Sequence, residues 1–249
     1  MIRERLSNTK YGKEVGFNWR GGEISRIEGF SDNVFGFALT LLVVTLEVPR
    51  TFTQLEETFH GFIGFALAFA LLVVVWYDHY QFFRRFGLDD RFVLWMNFLL
   101  LFVVVFFVYP TKFLATLLVK MFSGMSITVK LADGTVARAI ENHQWPTMMV
   151  AYGIGFIVIY AIYFFLYLHA YRLRELLELT EMELVHTKGE MAGHCANCCI
   201  GLISVSFVIF GGPGMAFYSG MMYWLIGPAQ GFIGYRRGKK IRSLLNKKN

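Results

Sequence analysis

Apolar residues in this chain gather into long runs rather than into the short stripes of a water-soluble fold. Six stretches reach or approach the roughly 20 apolar residues that cross a bilayer as a helix. They are residues 25–49, 58–83, 91–119, 146–171, 191–210 and 214–235. The pattern predicts an all-α membrane protein with six transmembrane helices. The first four runs are continuous. The last two are separated only by Gly211-Gly212-Pro213-Gly214, and the sixth is interrupted by Gly227-Pro228. Both are helix breakers, so a single re-entrant hairpin is the alternative there. Beyond the fourth run, residues 172–187 carry Leu at helical spacing among mixed charges and predict that the fourth helix continues into water. The expected organisation is an N-terminal segment 1–24, a transmembrane unit 25–235 and a basic tail 236–249.

Composition sharpens this picture. Hydrophobic residues make up 55% and charged residues 17%, against roughly 25% charge in a soluble domain. These numbers weigh against a soluble domain and exclude a disordered chain. The first run follows a charged segment that includes Arg3, Glu4, Arg5, Lys10 and Lys13, and it ends Leu46-Glu47-Val48-Pro49 without a small-residue cleavage site. It therefore reads as a mature helix and not a signal peptide. With six spans, four basic segments fall on one side: the N-terminus, Arg84/Arg85/Arg91, Arg172/Arg174, and the tail from Arg236 to Lys248. The positive-inside rule makes that side cytoplasmic, with both termini inside, in the plasma membrane of a prokaryote. The net charge of +6 is explained by these flanks and by contact with anionic lipid. Nucleic acid is set aside, because no groove-binding motif accompanies the charge.

The first run holds the chemistry. Ser25 and Glu28 have capping-box spacing, so the helix starts there. Arg26, Ser31, Asp32 and Asn33 then interrupt an otherwise apolar span. Ionisable groups at membrane depth are kept where they pair or line water. At about 100° per residue, Arg26, Phe30, Asn33, Phe37, Thr40, Leu41 and Val44 share one stripe. Ser31 and Asp32 point away from it and need partners elsewhere. Trp76 and His79 near the end of the second run, and Asn97 in the third, have the right donors and acceptors. Taken alone, His79 also reads as a helix-end histidine and Asn97 as a lone interhelical contact.

Arg26-x-x-x-Phe30-Ser31-Asp32 followed by Thr40-Leu41-Leu42 resembles the signature of the transmembrane-protein-175 potassium channels. Trp76-x-x-His79, Asn97 and Tyr109-Pro110-Thr111 resemble the second and third helices of the prokaryotic members. The likeness is best over residues 24–115, and the chain has length for one six-helix unit. The resemblance implies a homotetramer whose first helix lines a central pore without a carbonyl filter loop. By position, Phe37, Leu41 and Val44 would form the apolar constriction, with Thr40 as the nearby hydroxyl. Phe30, Ser31 and Asp32 would be interhelical glue near the cytoplasmic end, with Arg26, Trp76, His79 and Asn97 in or beside that network. The expected function is passive, modestly selective potassium conduction. Potassium would be the permeant ion, with no cofactor, and the partners would be further copies of the chain and membrane lipid. One departure stands out: family members commonly have Ile or Leu at the narrowest position, where this chain has Phe37.

Other features carry less. Cys195-x-x-Cys198, next to Cys199 and His194, lacks the second ligand pair of a metal site. Gly61-x-x-Gly64 and Gly153-x-Gly155 are small-residue packing positions. No P-loop, nucleophile elbow or HExxH motif is present, so no enzyme is expected. The competing reading is a proton-coupled transporter that uses Asp32 and His79. Transporters favour internal repeats and midplane sites; here no repeat is visible and the polar cluster lies toward one end.

Overall fold

The computed structural model describes residues 17–44, 51–124, 126–130 and 134–246. The elements run α1 (Arg26–Val44), α2 (Phe52–Phe86), α3 (Arg91–Phe122), β1 (Thr128–Lys130), β2 (Val136–Arg138), α4 (Trp145–Arg172) and α5 (Glu181–Gly211). After Gly212 the chain stays helical in pieces: a 3-10 turn Pro213–Met215, α6 (Ala216–Met222), a second 3-10 turn Tyr223–Leu225, and α7 (Ile226–Asn246).

Local chemistry sets several of these boundaries. The Ser25 hydroxyl accepts the Glu28 amide at 3.1 Å and opens α1. Asp90 caps α3 through Phe92 N–H and Val93 N–H. Thr180 and Glu183 close a full capping box on α5. Gly87, at φ 60°, makes the turn between α2 and α3, and a side chain there would run into the Arg20 backbone. Pro228 lacks an N–H and crowds the preceding turn. The helix tightens to 3-10 over Tyr223–Leu225, one turn before it.

Among the described residues, four helices are long and apolar enough to cross a membrane: Gly61–Phe86, Arg91–Phe122, Trp145–Arg172 and Glu181–Gly211. At 19 residues, α1 has a length of about 28 Å, close to the hydrocarbon thickness. Three expectations are corrected. The fourth helix does not continue through 172–187; it stops at Arg172, residues 173–178 form turns, and a new helix starts at Glu181. Tertiary contacts override local propensity here. The carbonyls of Leu177 and Glu178 accept hydrogen bonds from the Arg20 guanidinium, and Leu177 and Leu179 pack on the core. Glu183, His186 and Thr187 are buried rather than solvated, so the fifth helix begins ten residues before the expected 191. The sixth stretch is also not one uniform helix over 214–235, but the segmented run just described.

The helices form two groups. In the first, α1 packs on α2 and α3; in the second, α4 and α5 form the closest pair, with α6 and α7 against α5. Glycines permit the close approaches. A Cβ on Gly153 would lie 2.4 Å from Val205, one on Gly201 2.6 Å from Ile157, and one on Gly155 2.4 Å from Phe107. The shared core joins Phe35, Ala38 and Leu42 of α1 to Phe82 and Phe86 of α2, Val93 and Leu100 of α3, and Tyr163, Leu166 and Tyr167 of α4. Between α3 and α4, β1 and β2 pair antiparallel, with Val129 opposite Ala137.

Candidate functional site: the first helix and its polar anchor

Two faces divide α1, and their spacing explains why. Glu28, Ser31, Phe35, Ala38 and Leu42 recur at three- and four-residue intervals, and all are buried. They face α2 and α3. The opposite stripe of Arg26, Phe30, Asn33, Phe37 and Thr40 is exposed, with Phe30 at 52% and Phe37 at 58%. Leu41 lies at the edge, half-buried against the core. The side chain of Val44 lies outside the described residues.

The buried face carries a hydrogen-bonded chain across three helices. His79 Nε2 lies 3.0 Å from Asn97 Oδ1. Asn97 Nδ2 donates to Ser31 Oγ at 2.8 Å, and Ser31 Oγ donates to the Ile27 carbonyl at 2.8 Å. Because the amide oxygen only accepts, His79 must donate from Nε2. His79 and Asn97 are 1% and 0% exposed. His79 is thus an interior residue packed against Phe35 and Phe83, not a histidine at a wet helix end, and Asn97 bridges two helices rather than making a lone contact. Asp32 forms a separate link and accepts from Trp76 Nε1 at 2.9 Å. Trp76 stacks on Tyr80. Phe30 meets Phe98 of α3 edge-on. Arg26 joins neither link; it is exposed and makes no hydrogen bond or ion pair among the described residues.

On the open stripe, the Thr40 hydroxyl donates to the Phe37 carbonyl at 2.7 Å. Its proton is committed to the backbone, so its lone pairs face outward. Asn33 similarly donates to the Gly29 carbonyl at 2.9 Å. Among the described residues the stripe offers rings, outward oxygens and the Arg26 guanidinium, and no carboxylate.

A second set of polar links escaped the sequence reading. The segment before α1 is strapped to α5: Asn18 N–H and the Arg20 guanidinium both bond Glu183. Arg84 Nη1 donates to the Gly21 carbonyl, while Gly21 N–H donates to the Arg84 carbonyl. Deeper, Glu190 bridges Arg85 and Arg237 at 3.2 and 2.7 Å. The Thr180-x-x-Glu183 capping box was the available signal for this start of α5. Cys195 and Cys199 are exposed, and Cys198 is half-buried. No cluster of three or more His, Cys, Asp or Glu suited to a metal ion occurs among the described residues.

Comparison with known proteins fits this architecture. The family model described as "Endosomal/lysosomal potassium channel TMEM175" matches residues 26–107, from the foot of α1 into α3. A "Potassium channel" of Marivirga tractuosa is 34% identical over 244 residues, covering 97% of this chain and 98% of the relative. On that near full-length relationship, the chain belongs to the TMEM175 family, a family of ion channels and not an enzyme class. More distantly, a potassium channel of Chamaesiphon minutus is 27% identical over 160 residues, covering 53% of this chain and 79% of its own length. Among solved structures, the potassium channel MtTMEM175, crystallised as a variant with a nanobody–MBP fusion protein, superposes with a TM-score of 0.78 at 32% identity. That superposition covers 92% of this chain and 99% of that one. The homologue from Chamaesiphon minutus shares the fold, with a TM-score of 0.53 at 21% identity over 85% and 96% of the two chains.

Proposed function

We propose that copies of this chain assemble as a tetramer and conduct potassium through a central pore lined by the open stripe of α1. The observation that carries this reading is the split character of α1: one face is anchored by buried hydrogen bonds, while the other leaves Phe37 58% exposed and Thr40 uncovered by its own chain. Family membership supports it, as does the name of the near full-length relative. The constriction comprises Phe37, Leu41 and Val44. Four Phe37 rings at one level close the path by dewetting, and small movements of the rings wet it. Selectivity over sodium rests on the cost of dehydration. The outward Thr40 lone pairs replace part of the lost shell for the more easily dehydrated potassium ion. Selectivity is modest, because four hydroxyls lack the field of a carbonyl-lined filter. Ser31, Asp32, Trp76, His79 and Asn97 hold α1 against the rest of the subunit. The end of the bundle that carries Arg84, Arg85 and Arg172 faces the cytoplasm.

The test is reconstitution in a planar bilayer with potassium on one side and sodium on the other. Unitary currents that reverse toward the potassium equilibrium potential are expected. Saturable, pH-driven flux without unitary events would instead establish a carrier. The links found here argue against that: Asp32 bonds Trp76 while His79 bonds Asn97, and no hydrogen bond joins the two groups among the described residues.

A further inference from the structure

A cleft of about 320 Å³ opens between α3 and α4 at the arginine-bearing end of the bundle, lined by Phe92, Phe165, Leu168, His169 and Arg172. No residue of α1 lines it. Its floor is apolar and its rim is cationic. Phe92 and Phe165 are exposed, so the floor opens to the surroundings of the subunit. The rim is tied to the start of α3: His169 Nε2 lies 2.7 Å from Asp90 Oδ2, and the His169 and Phe92 rings meet at a tilt with centroids 4.6 Å apart.

Charge is the informative feature. Arg172 ends α4 and Arg91 starts α3; both are exposed, and neither makes an ion pair or hydrogen bond among the described residues. Several other arginines at this end are neutralised, Arg20 by Glu183, Arg85 and Arg237 by Glu190, and Arg174 by Glu175; Arg26 and Arg236 are unpaired too among the described residues, but neither lines the cleft. Asp90, the carboxylate that meets the rim, is already engaged by His169 and by two α3 amides. Asp89 lines a different cleft, with Arg20 and Glu28. An apolar slot with unneutralised arginine at its mouth matches an amphiphile with an anionic head.

We infer that this cleft binds one anionic phospholipid per subunit, with its acyl chain against Phe92, Phe165 and Leu168 and its phosphate at Arg172 and Arg91. The inference rests on the membrane-spanning fold and is independent of the pore assignment. An acidic lipid gains charge attraction that a zwitterionic one lacks, so the head, not the chain, sets the preference.

Native mass spectrometry of the intact channel, titrated with phosphatidylglycerol or phosphatidylcholine, tests this. The wild-type protein is expected to bind phosphatidylglycerol about tenfold more tightly than phosphatidylcholine. Arg172→Gln with Arg91→Gln is expected to erase that difference with an unchanged melting temperature. The pair Arg236→Gln and Lys239→Gln, on the exposed basic face of α7, is expected to keep it. An unchanged preference in the Arg172/Arg91 variant overturns the proposal, as does a loss confined to the α7 variant. A third overturning result is efficient cross-linking between subunits through Phe165→Cys in a background with serine at 195, 198 and 199, because the cleft would then be covered by another copy of the chain.

Discussion

At the scale of single residues, Asn97 matters most to the anchoring of α1. Its amide serves two helices at once, accepting from His79 and donating to Ser31. Leucine has similar bulk and no polar atoms, so Asn97→Leu leaves the His79 N–H and the Ser31 oxygen facing each other across an apolar contact. At about 1 kcal/mol per interhelical bond within a membrane, the variant should lose about 2 kcal/mol, seen as a lower melting temperature of the detergent-solubilised protein. Thr40 makes a different case, because its hydroxyl bonds only within its own turn. Thr40→Ala should leave the melting temperature within a degree or two and shift the reversal potential in mixed potassium and sodium toward zero. These residue types were legible in the sequence, since polar side chains in an apolar helix stand out. Their pairing was not. Nothing in the spacing of Ser31, His79 and Asn97 says that His79 selects Asn97 while Asp32 selects Trp76, because that choice depends on helix rotation. The strap from Asn18 and Arg20 to Glu183 was equally silent, as it joins residues more than 160 positions apart.

At the scale of elements, the long apolar runs announced α2, α3 and α4 to within a few residues, apart from the six-residue earlier start of α2. The pattern erred where structure is decided by tertiary contacts, at 172–187. Leu spacing there suits a helix, but Arg20 takes the carbonyls that a continued helix would need. Glycines give a sharper element-level test. A Cβ on Gly64 would sit 3.0 Å from the Thr116 Cα, a backbone atom of α3, whereas one on Gly61 meets nothing within 4 Å. Gly64→Ala should therefore push α2 from α3 and lower the melting temperature. Gly61→Ala should raise it slightly, because alanine is favoured over glycine in a helix interior by about 1 kcal/mol. The loop between α2 and α3 adds a pH dependence. Burial works against the charge of Asp90, but hydrogen bonds from His169, Val93 N–H and Phe92 N–H outweigh it and hold the carboxyl below its ordinary 3.8. The folded state thus binds this proton less readily than the unfolded chain. The stabilisation is present above that ordinary value and is lost as pH falls through the lower folded one. Asp90→Asn keeps a capping side chain and removes the charge. The gap in melting temperature between wild type and variant should narrow once pH falls below about 4 and close as pH drops through the lower folded value.

At the scale of the whole molecule, the contacts gather basic groups at one end. Arg84 meets Gly21 ahead of α1, Asp90 before α3 meets His169 near the end of α4, and Glu190 in the third turn of α5 meets Arg237 midway along α7. Charge counting along the sequence anticipated this grouping without any knowledge of packing, because membrane topology is written in flanking charge. What sequence could not supply is how an apolar stripe behaves when it faces copies of itself. Phe37 is the clearest place to ask. A phenylalanine ring is planar and has fewer rotamers than a leucine side chain, so in the proposed tetramer four of them would pack into a closed iris that opens only when the rings turn together. Their turned faces attract a cation by about 0.5–2 kcal/mol each, which partly offsets the dewetting barrier. Phe37→Leu removes both effects. With a smaller and more adaptable side chain, the open time of unitary currents should rise severalfold. Conductance should change little, because the lost ring attraction opposes the wider path. Phe37→Trp should act in the opposite direction and silence the channel while the tetramer remains intact by size-exclusion chromatography with light scattering. Equal open times in all three proteins would place the gate elsewhere on the stripe, at Leu41 or Val44, one and two turns further along the helix.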